Sequence, residues 1–481
     1  MWQPILMING YIISILGLSM LAPAAYDRYI AKNGDTAFIS AAIITTFIGM
    51  GLFLSNRGKI NKISLRQGYL ITLLSWFMCG MFATLPVMLD GSISGFSNAV
   101  FEVFSGISGT GATIVTDIES LPRSMLLWRS MLNALGGIGI VIFAVALLPF
   151  LGIGGMQIFQ RENSDFDNKF MPKFSYIAKR IIFVFIALTT MCCLALKFGG
   201  MGWFDAINHA FTSVATGGFS TKNDSIGAFN SFKIEMILSL FMLAGALPMT
   251  FYITLWQNKE LKSFRTPQVL FFLKVVMFII AMMAFWLVYS GRYEFLDALR
   301  YAIFNVISVI TTTGYSSADY VQWGSFAVML FFLISFCGGC TGSTTGSIKM
   351  FRWEILLAYM KRNFVSASEP KRVLPVKIDE KPVNEGVIAS VYIYLSAFFS
   401  TAVIGMLLVS ASGVEPWTAF AAVVACITNV GPAVVEQIGP SGSFASFSPF
   451  VKYVLSLMMM MGRLEIITVL VIFTKSFWQK S

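Results

Sequence analysis

Four short glycine-centred segments recur along the chain, each between two long apolar runs. They read Gly109-Thr110-Gly111-Ala112-Thr113, Ala215-Thr216-Gly217-Gly218-Phe219, Thr312-Thr313-Gly314-Tyr315-Ser316 and Asn429-Val430-Gly431-Pro432-Ala433. No side chain in them is a nucleophile with a partner base or a metal ligand. Their chemistry is that of the backbone. A dehydrating cation needs close-packed carbonyls in place of its water shell, and glycine lets the chain turn its carbonyls inward. The central glycines are Gly111, Gly217, Gly314 and Gly431. Four such loops in one polypeptide suggest a ring around a single pore.

The elements that must position them are membrane helices. The chain is 56% hydrophobic and 12% charged, with mean hydropathy +0.75. Ordinary soluble domains carry about 25% charged residues, and this chain holds many apolar runs of spanning length. The first run, 5–24, is too long for a signal-peptide core and lacks a clear cleavage signal. It reads as a retained helix.

The net charge is +10. A nucleic-acid partner is one reading of such a chain, but the distribution argues otherwise. Of 34 Lys and Arg, 22 fall in five segments on one side: 56–67, 157–181, 257–266, 349–386 and 475–481. That is the positive-inside pattern, so the excess reports topology, and both termini are expected in the cytoplasm.

All six cysteines lie in apolar segments, and His209 is the only histidine. Cys337-Gly338-Gly339-Cys340 matches C-x-x-C formally, but a redox motif needs a βαβ context. Paired histidines, a nucleophile elbow and a metal-ligand cluster are all missing from the sequence, which speaks against a membrane enzyme.

The expected architecture is all-α and integral to the membrane, with ten transmembrane helices. A helix pair at 5–24 and 36–55 comes first. Four repeats follow, each a spanning helix, a short amphipathic stretch, a glycine segment and a second span. The first spans are 68–89, 178–197, 267–290 and 388–411. The short stretches are 95–107, 203–214, 297–311 and 416–428, and the second spans are 126–150, 232–256, 326–350 and 448–474. Division falls at 1–66, 67–156, 157–262, 263–365 and 366–481. The short stretches cannot span and read as half-helices dipping in from outside. Their C-terminal dipole ends would face the pore and favour a cation.

Each second span is expected to break near its middle. The breaks are at Leu135-Gly136-Gly137-Ile138-Gly139, Ala244-Gly245-Ala246-Leu247-Pro248, residues 338–346 and Met461-Gly462-Arg463. Residues 338–346 pack Gly338, Gly339, Thr341, Gly342, Ser343 and Gly346 into one mid-membrane stretch. That stretch reads as an unwound loop below the filter and a hinge, or else as a tight contact of small residues between helices. A mid-membrane arginine such as Arg463 costs at least ~2.5 kcal/mol and faces a polar interior. Pairing with Glu465 or with loop carbonyls would hold it, and its charge near the narrowest point would oppose cation passage.

Asp117, Asp224, Asp319 and Glu436 follow their glycines by six, seven, five and five residues. In a fourfold arrangement they would ring the outer mouth and concentrate cations; ordinary solvated loop charge is the plain alternative. Lys274 is a second charge inside a span, with snorkelling or pairing near the pore both open. Segment 349–386 suits either a docking surface or a solvated linker.

Four signatures, the first three segments and the loop Gly338-Gly339-Cys340-Thr341-Gly342-Ser343-Thr344-Thr345-Gly346-Ser347-Ile348-Lys349, followed by Arg463, resemble the Trk-type (TrkH/TrkG) potassium uptake subunits of bacteria, within the wider Trk/Ktr/HKT superfamily. The resemblance covers nearly the whole chain, including the N-terminal pair. It implies four potassium-channel-like M1–P–M2 units, a homodimer, and K⁺ uptake across the bacterial inner membrane by gated, channel-like conduction. The implied filter residues are Thr110, Gly111, Thr216, Gly217, Thr313, Gly314, Val430 and Gly431, with K⁺ on their carbonyls only. It also implies a cytosolic TrkA-like regulatory ring with RCK domains; nucleotide would bind that partner, and no cofactor is expected in this chain. Na⁺-favouring relatives often carry Ser at the first filter glycine, whereas all four positions here are Gly. No segment reads T-V-G-Y-G, so fewer ordered ion sites are expected than in a symmetric channel. A Na⁺- or H⁺-coupled symporter is the alternative. Inverted-repeat transporters predict mirrored halves, whereas these repeats run parallel.

Overall fold

The computed structural model describes residues 2–31, 36–58, 64–144, 170–258, 266–369, 375–378 and 381–479. Residues 145–150 of the expected second span in the first repeat, and parts of the basic segments, lie outside them.

Helices α1 (Trp2–Ile30) and α2 (Ala37–Ser55) form the expected N-terminal pair. Four successions of a long helix and a short one follow. Helix α3 (Leu65–Asp90) leads to α4 (Phe96–Ser108), and α5 (Arg123–Ile142) returns. Next come α6 (Phe170–Phe198), α7 (Trp203–Val214), α8 (Phe232–Ala246) and α9 (Met249–Asn258). The third succession is α10 (Pro267–Tyr289), α11 (Phe295–Ile310), α12 (Ser325–Ser335) and α13 (Met350–Ser368). A two-residue hairpin, Lys377–Ile378 with Lys381–Pro382, precedes the fourth: α14 (Glu385–Ser410), α15 (Pro416–Ile427), α16 (Pro449–Arg463) and α17 (Ile466–Leu470).

Local signals explain where these helices start. Ser64 and Gln67 form a reciprocal capping box on α3, satisfying two backbone donors that the helix itself leaves unpaired. On α15 the Glu415 carboxylate accepts from the N–H groups of Trp417 and Thr418, and Pro416 fills the first turn.

Seven helices among the described residues are long and apolar enough to cross a membrane, and two bent pairs bring the number to nine. The pair α8–α9 turns by 92° and the pair α16–α17 by 111°. The tenth expected span, 326–350, is helical only over Ser325–Ser335. Its hydroxyl and glycine residues bond elsewhere instead of extending a helix. One expected break is absent: α5 runs unbroken through Gly136 and Gly137. Those glycines admit a neighbour. A Cβ at 136 would overlap the Ile107 carbonyl oxygen, and one at 137 would lie 2.9 Å from Ala215 Cβ. Lys274 is exposed on α10 and takes no part in the interior.

Candidate cation pathway

The four short helices end alike. The N–H of Thr110 donates to Ser105 O (2.9 Å), Gly217 to Thr212 O (2.8 Å), Thr313 to Ser308 O (2.8 Å) and Val430 to Ala425 O (3.1 Å). The residue before each is left-handed: Gly109 (φ 66°), Thr216 (49°), Thr312 (54°) and Asn429 (56°). So is the residue after each: Gly111 (81°), Gly218 (74°), Gly314 (84°) and Gly431 (94°). Alternating the hand of successive residues turns successive carbonyls toward the same side, which an ordinary strand does not do.

This pattern corrects the register of the second segment by one residue. Gly218, not Gly217, occupies the place of Gly111, Gly314 and Gly431. Gly217 occupies the place of Thr110, Thr313 and Val430, and Thr216 that of Gly109.

In that register the segments close on one another. A Cβ on Gly111 would lie 2.6 Å from the Gly217 carbonyl oxygen. Similar additions at Gly218, Gly314 and Gly431 would overlap the carbonyl oxygens of Thr313, Val430 and Thr110. Four steps return to the starting segment. The backbones therefore form a closed ring in which a side chain at any of these glycines has no room.

A cavity of about 180 Å³ lies on one face of the ring, and all four left-handed glycines line it. Its charged lining is Arg129, Lys222 and Asp224. The expected ring of acids does not converge there. Asp117 accepts from Asn223 Nδ2 (3.0 Å), and Asp319 caps a turn at the Val321 N–H (3.1 Å). Glu436 is exposed at the start of a short turn. Of the four acids, Asp224 lines the cavity. Lys222 pairs with Glu119 at 2.9 Å, and that hydrogen bond holds the Glu119 carboxyl below the usual carboxylate range.

The opposite face is covered by residues 336–349. Their backbone groups bond to three successions of helices. Cys340 N–H donates to Ala246 O (2.9 Å), Thr344 N–H to Gly245 O (3.2 Å), and Gly342 O accepts from Met249 N–H (3.0 Å). Gly346 N–H donates to Thr312 Oγ1 (2.7 Å), and Gly339 N–H to Thr345 Oγ1 (3.0 Å). The loop closes on itself where Gly338 N–H meets Ile348 O (2.9 Å), and Lys349 Nζ reaches Thr345 Oγ1 (2.9 Å). Thr341 turns outward to accept from Gln268 Nε2 on α10 (3.1 Å), while the Ser343 hydroxyl stays within the loop, beside Thr345 Oγ1 (2.9 Å).

Arg463 is buried between loop and ring. Its Nη1 donates to Thr344 O (2.7 Å), and its Nη2 lies under Gly109. Of the two partners considered for it, the loop carbonyl is the one used. Glu465 is taken instead by Arg352 (2.6 Å), whose guanidinium stacks on Tyr394 at 3.6 Å. The sequence reading missed this buried pair, and it missed Glu102–Arg129 (2.8 Å) beside the ring. A charge set among apolar residues was the only available signal, and partners 113 and 27 positions apart cannot be matched by spacing.

Seven to nine apolar spans among the described residues, packed around a closed ring of loop backbone, define a multi-pass membrane protein. A sequence profile described as "TrkH: Cation transport protein" matches residues 34–480. The Trk system potassium uptake protein TrkH of Halomonas elongata is 38% identical over 99% of both chains. That of Escherichia coli K12 is 34% identical over the whole of both. The crystal structure of the potassium transporter TrkH from Vibrio parahaemolyticus superposes with a TM-score of 0.93 at 30% identity, covering both chains completely. The chain belongs to the TrkH family of cation transport proteins.

Proposed function

We propose that this protein takes up K⁺ by conduction through the closed ring, with Thr110, Gly217, Thr313 and Val430 presenting the carbonyls that replace the water shell. The observation that carries this reading is the cyclic approach of each left-handed glycine to its neighbour's carbonyl oxygen. The relatives named for potassium uptake supply the ion's identity. Each succession of helices is one M1–P–M2 unit, and the glycines act through backbone geometry alone.

Residues 338–346 and Arg463 form the gate in this reading. The loop crosses the passage immediately under the ring, and Arg463 places a positive charge where a cation would emerge. Its bond to the Thr344 carbonyl is charge-assisted and worth about 1.5–3 kcal/mol. Losing it shifts the loop toward release by roughly tenfold to a hundredfold. The protein works as a homodimer in the bacterial inner membrane, termini in the cytoplasm, with a nucleotide-binding regulatory ring docked on the basic face. Residues 349–386 are the docking segment.

Downhill influx into proteoliposomes tests this, comparing K⁺, Rb⁺ and Na⁺ with no other gradient. K⁺ and Rb⁺ should exceed Na⁺, and Arg463→Ala should raise the rate. Influx appearing only under an imposed Na⁺ or H⁺ gradient, in parent and Arg463→Ala alike, would refute uncoupled conduction.

A further inference from the structure

One charged pair lies against the ring and takes no part in conduction as described above. Glu102 on α4 and Arg129 on α5 meet at 2.8 Å, with side chains 2% and 3% exposed. Every polar atom of the pair has work. The Glu102 carboxylate accepts from the Thr113 hydroxyl (2.9 and 3.0 Å) and the Ile114 N–H (3.0 Å). Arg129 Nη1 donates to the Ser220 carbonyl (3.3 Å) and Nη2 to Thr113 Oγ1 (3.3 Å), while the guanidinium covers the Phe219 ring at 4.1 Å.

The recipients are informative. Thr113 stands two residues beyond Gly111, and Ser220 two residues beyond Gly218, the corresponding place in the next segment. One ion pair therefore grips the outer ends of two adjacent segments, on the side where their carbonyls meet. At two other junctions the segments' outer ends are joined by backbone bonds. Ile226 and Gly227 donate to Ser316 O (3.0 and 3.1 Å), and Phe444 donates to Thr113 O (2.9 Å).

A second inter-helix pair gives the contrast. Arg300 and Glu235 bond at 2.7 and 2.8 Å, but the arginine is 18% exposed and its guanidinium bonds are to Glu235. Buried pairs contribute little net stability against an apolar replacement, whereas breaking one leaves a bare charge. A pair with every donor and acceptor satisfied specifies geometry more than it stabilises the fold.

We propose that Glu102 and Arg129 are positioning residues: a charged brace that fixes the spacing of the first and second segments and thereby sharpens discrimination of K⁺ from the smaller Na⁺. The inference rests on the conduction reading above. Na⁺ fits the ring only if carbonyls close inward, and the brace resists that movement at one junction.

The test is the K⁺/Na⁺ influx ratio of the full-length protein in proteoliposomes, with size-exclusion profiles read alongside. E102Q removes the charge that gathers three donors, and the ratio should fall about tenfold, the equivalent of one charged hydrogen bond. R129K keeps the charge but cannot reach Thr113 and Ser220 together, so the ratio falls by less. E235Q breaks the comparison pair and should reduce stability without moving the ratio. R129K carries the test if E102Q does not remain monodisperse. An unchanged ratio in a monodisperse brace variant overturns the brace. A parent protein without K⁺ preference overturns the conduction reading instead.

Discussion

Alanine at Gly218 and alanine at Gly217 should fail for different reasons, and the difference tests the ring's register. At 218 the backbone is left-handed (φ 74°) and the added Cβ would overlap the carbonyl oxygen of Thr313. The left-handed conformation costs an L-residue about 1–2 kcal/mol. Forcing a methyl against fixed backbone adds about 1–3 kcal/mol. Together these amount to about 2–5 kcal/mol, a thirtyfold to several-thousandfold loss of the competent loop. No side-chain deletion can relieve it, because the obstacle is main chain. At 217 φ is not positive and the obstacles are Asn133 atoms, with Oδ1 at 2.5 Å and Cβ at 2.8 Å. Removing that side chain opens the space. Rb⁺ influx into proteoliposomes should therefore fall at least thirtyfold in Gly218→Ala. Gly217→Ala should also lose flux but recover part of it when combined with Asn133→Gly. Should Gly218→Ala keep a third or more of parental influx, or should Asn133→Gly rescue it, the assigned register is wrong.

Other substitutions probe the surroundings. Asp224→Lys should slow influx more than the same change at Asp117, Asp319 or Glu436, since only Asp224 lines the outer cavity; the gap should close between about 0.01 M and 1 M salt as screening shortens. Glu465→Gln strands the buried Arg352 charge and should cost about 3–5 kcal/mol, read as a lowered melting temperature, while Glu385→Gln, in a pair exposed on the glutamate side, should stay near parent. Gly136→Ala should sharply reduce monodisperse protein because Ile107 O occupies the space, whereas Gly139→Ala, whose nearest neighbour is a Trp76 ring carbon at 3.7 Å, should leave it intact or gain about 0.5–1 kcal/mol from helix propensity.

Much of this was legible because membrane helices announce themselves by length, and because the left-handed place that abuts the neighbouring segment has room only for glycine. The short helices fall within two residues of expectation, and three of the four central glycines were placed directly. The second segment failed because Gly217-Gly218 offers two glycines where geometry needs one at the left-handed place. The helix-ending hydrogen bonds and the positive φ at Gly218 discriminate between them. Gly136-Gly137 failed for a related reason. Glycine permits both a break and a close approach, and in α5 the neighbouring backbone claims the space. Of the acids counted from the glycines, only Asp224 lines the cavity, because such counting assumes four loops of one shape. The buried pairs were beyond spacing altogether.

The breaks in α8–α9 and in the third succession are complementary halves of one arrangement. A broken helix in a membrane frees backbone groups that must find partners. Leu247-Pro248 interrupts α8–α9, and proline has no N–H to offer. The freed Ala246 and Gly245 carbonyls accept from Cys340 and Thr344, and Met249 N–H donates to Gly342 O. The loop, which is unwound itself, satisfies three of its own backbone groups with the same bonds. Withdrawing residues 338–346 as a simple flap would strand polar groups on both elements. Either water follows the loop into the space under the ring, or α8–α9 straightens as the loop departs. In the gating reading proposed above, both routes tie loop position to the 92° bend.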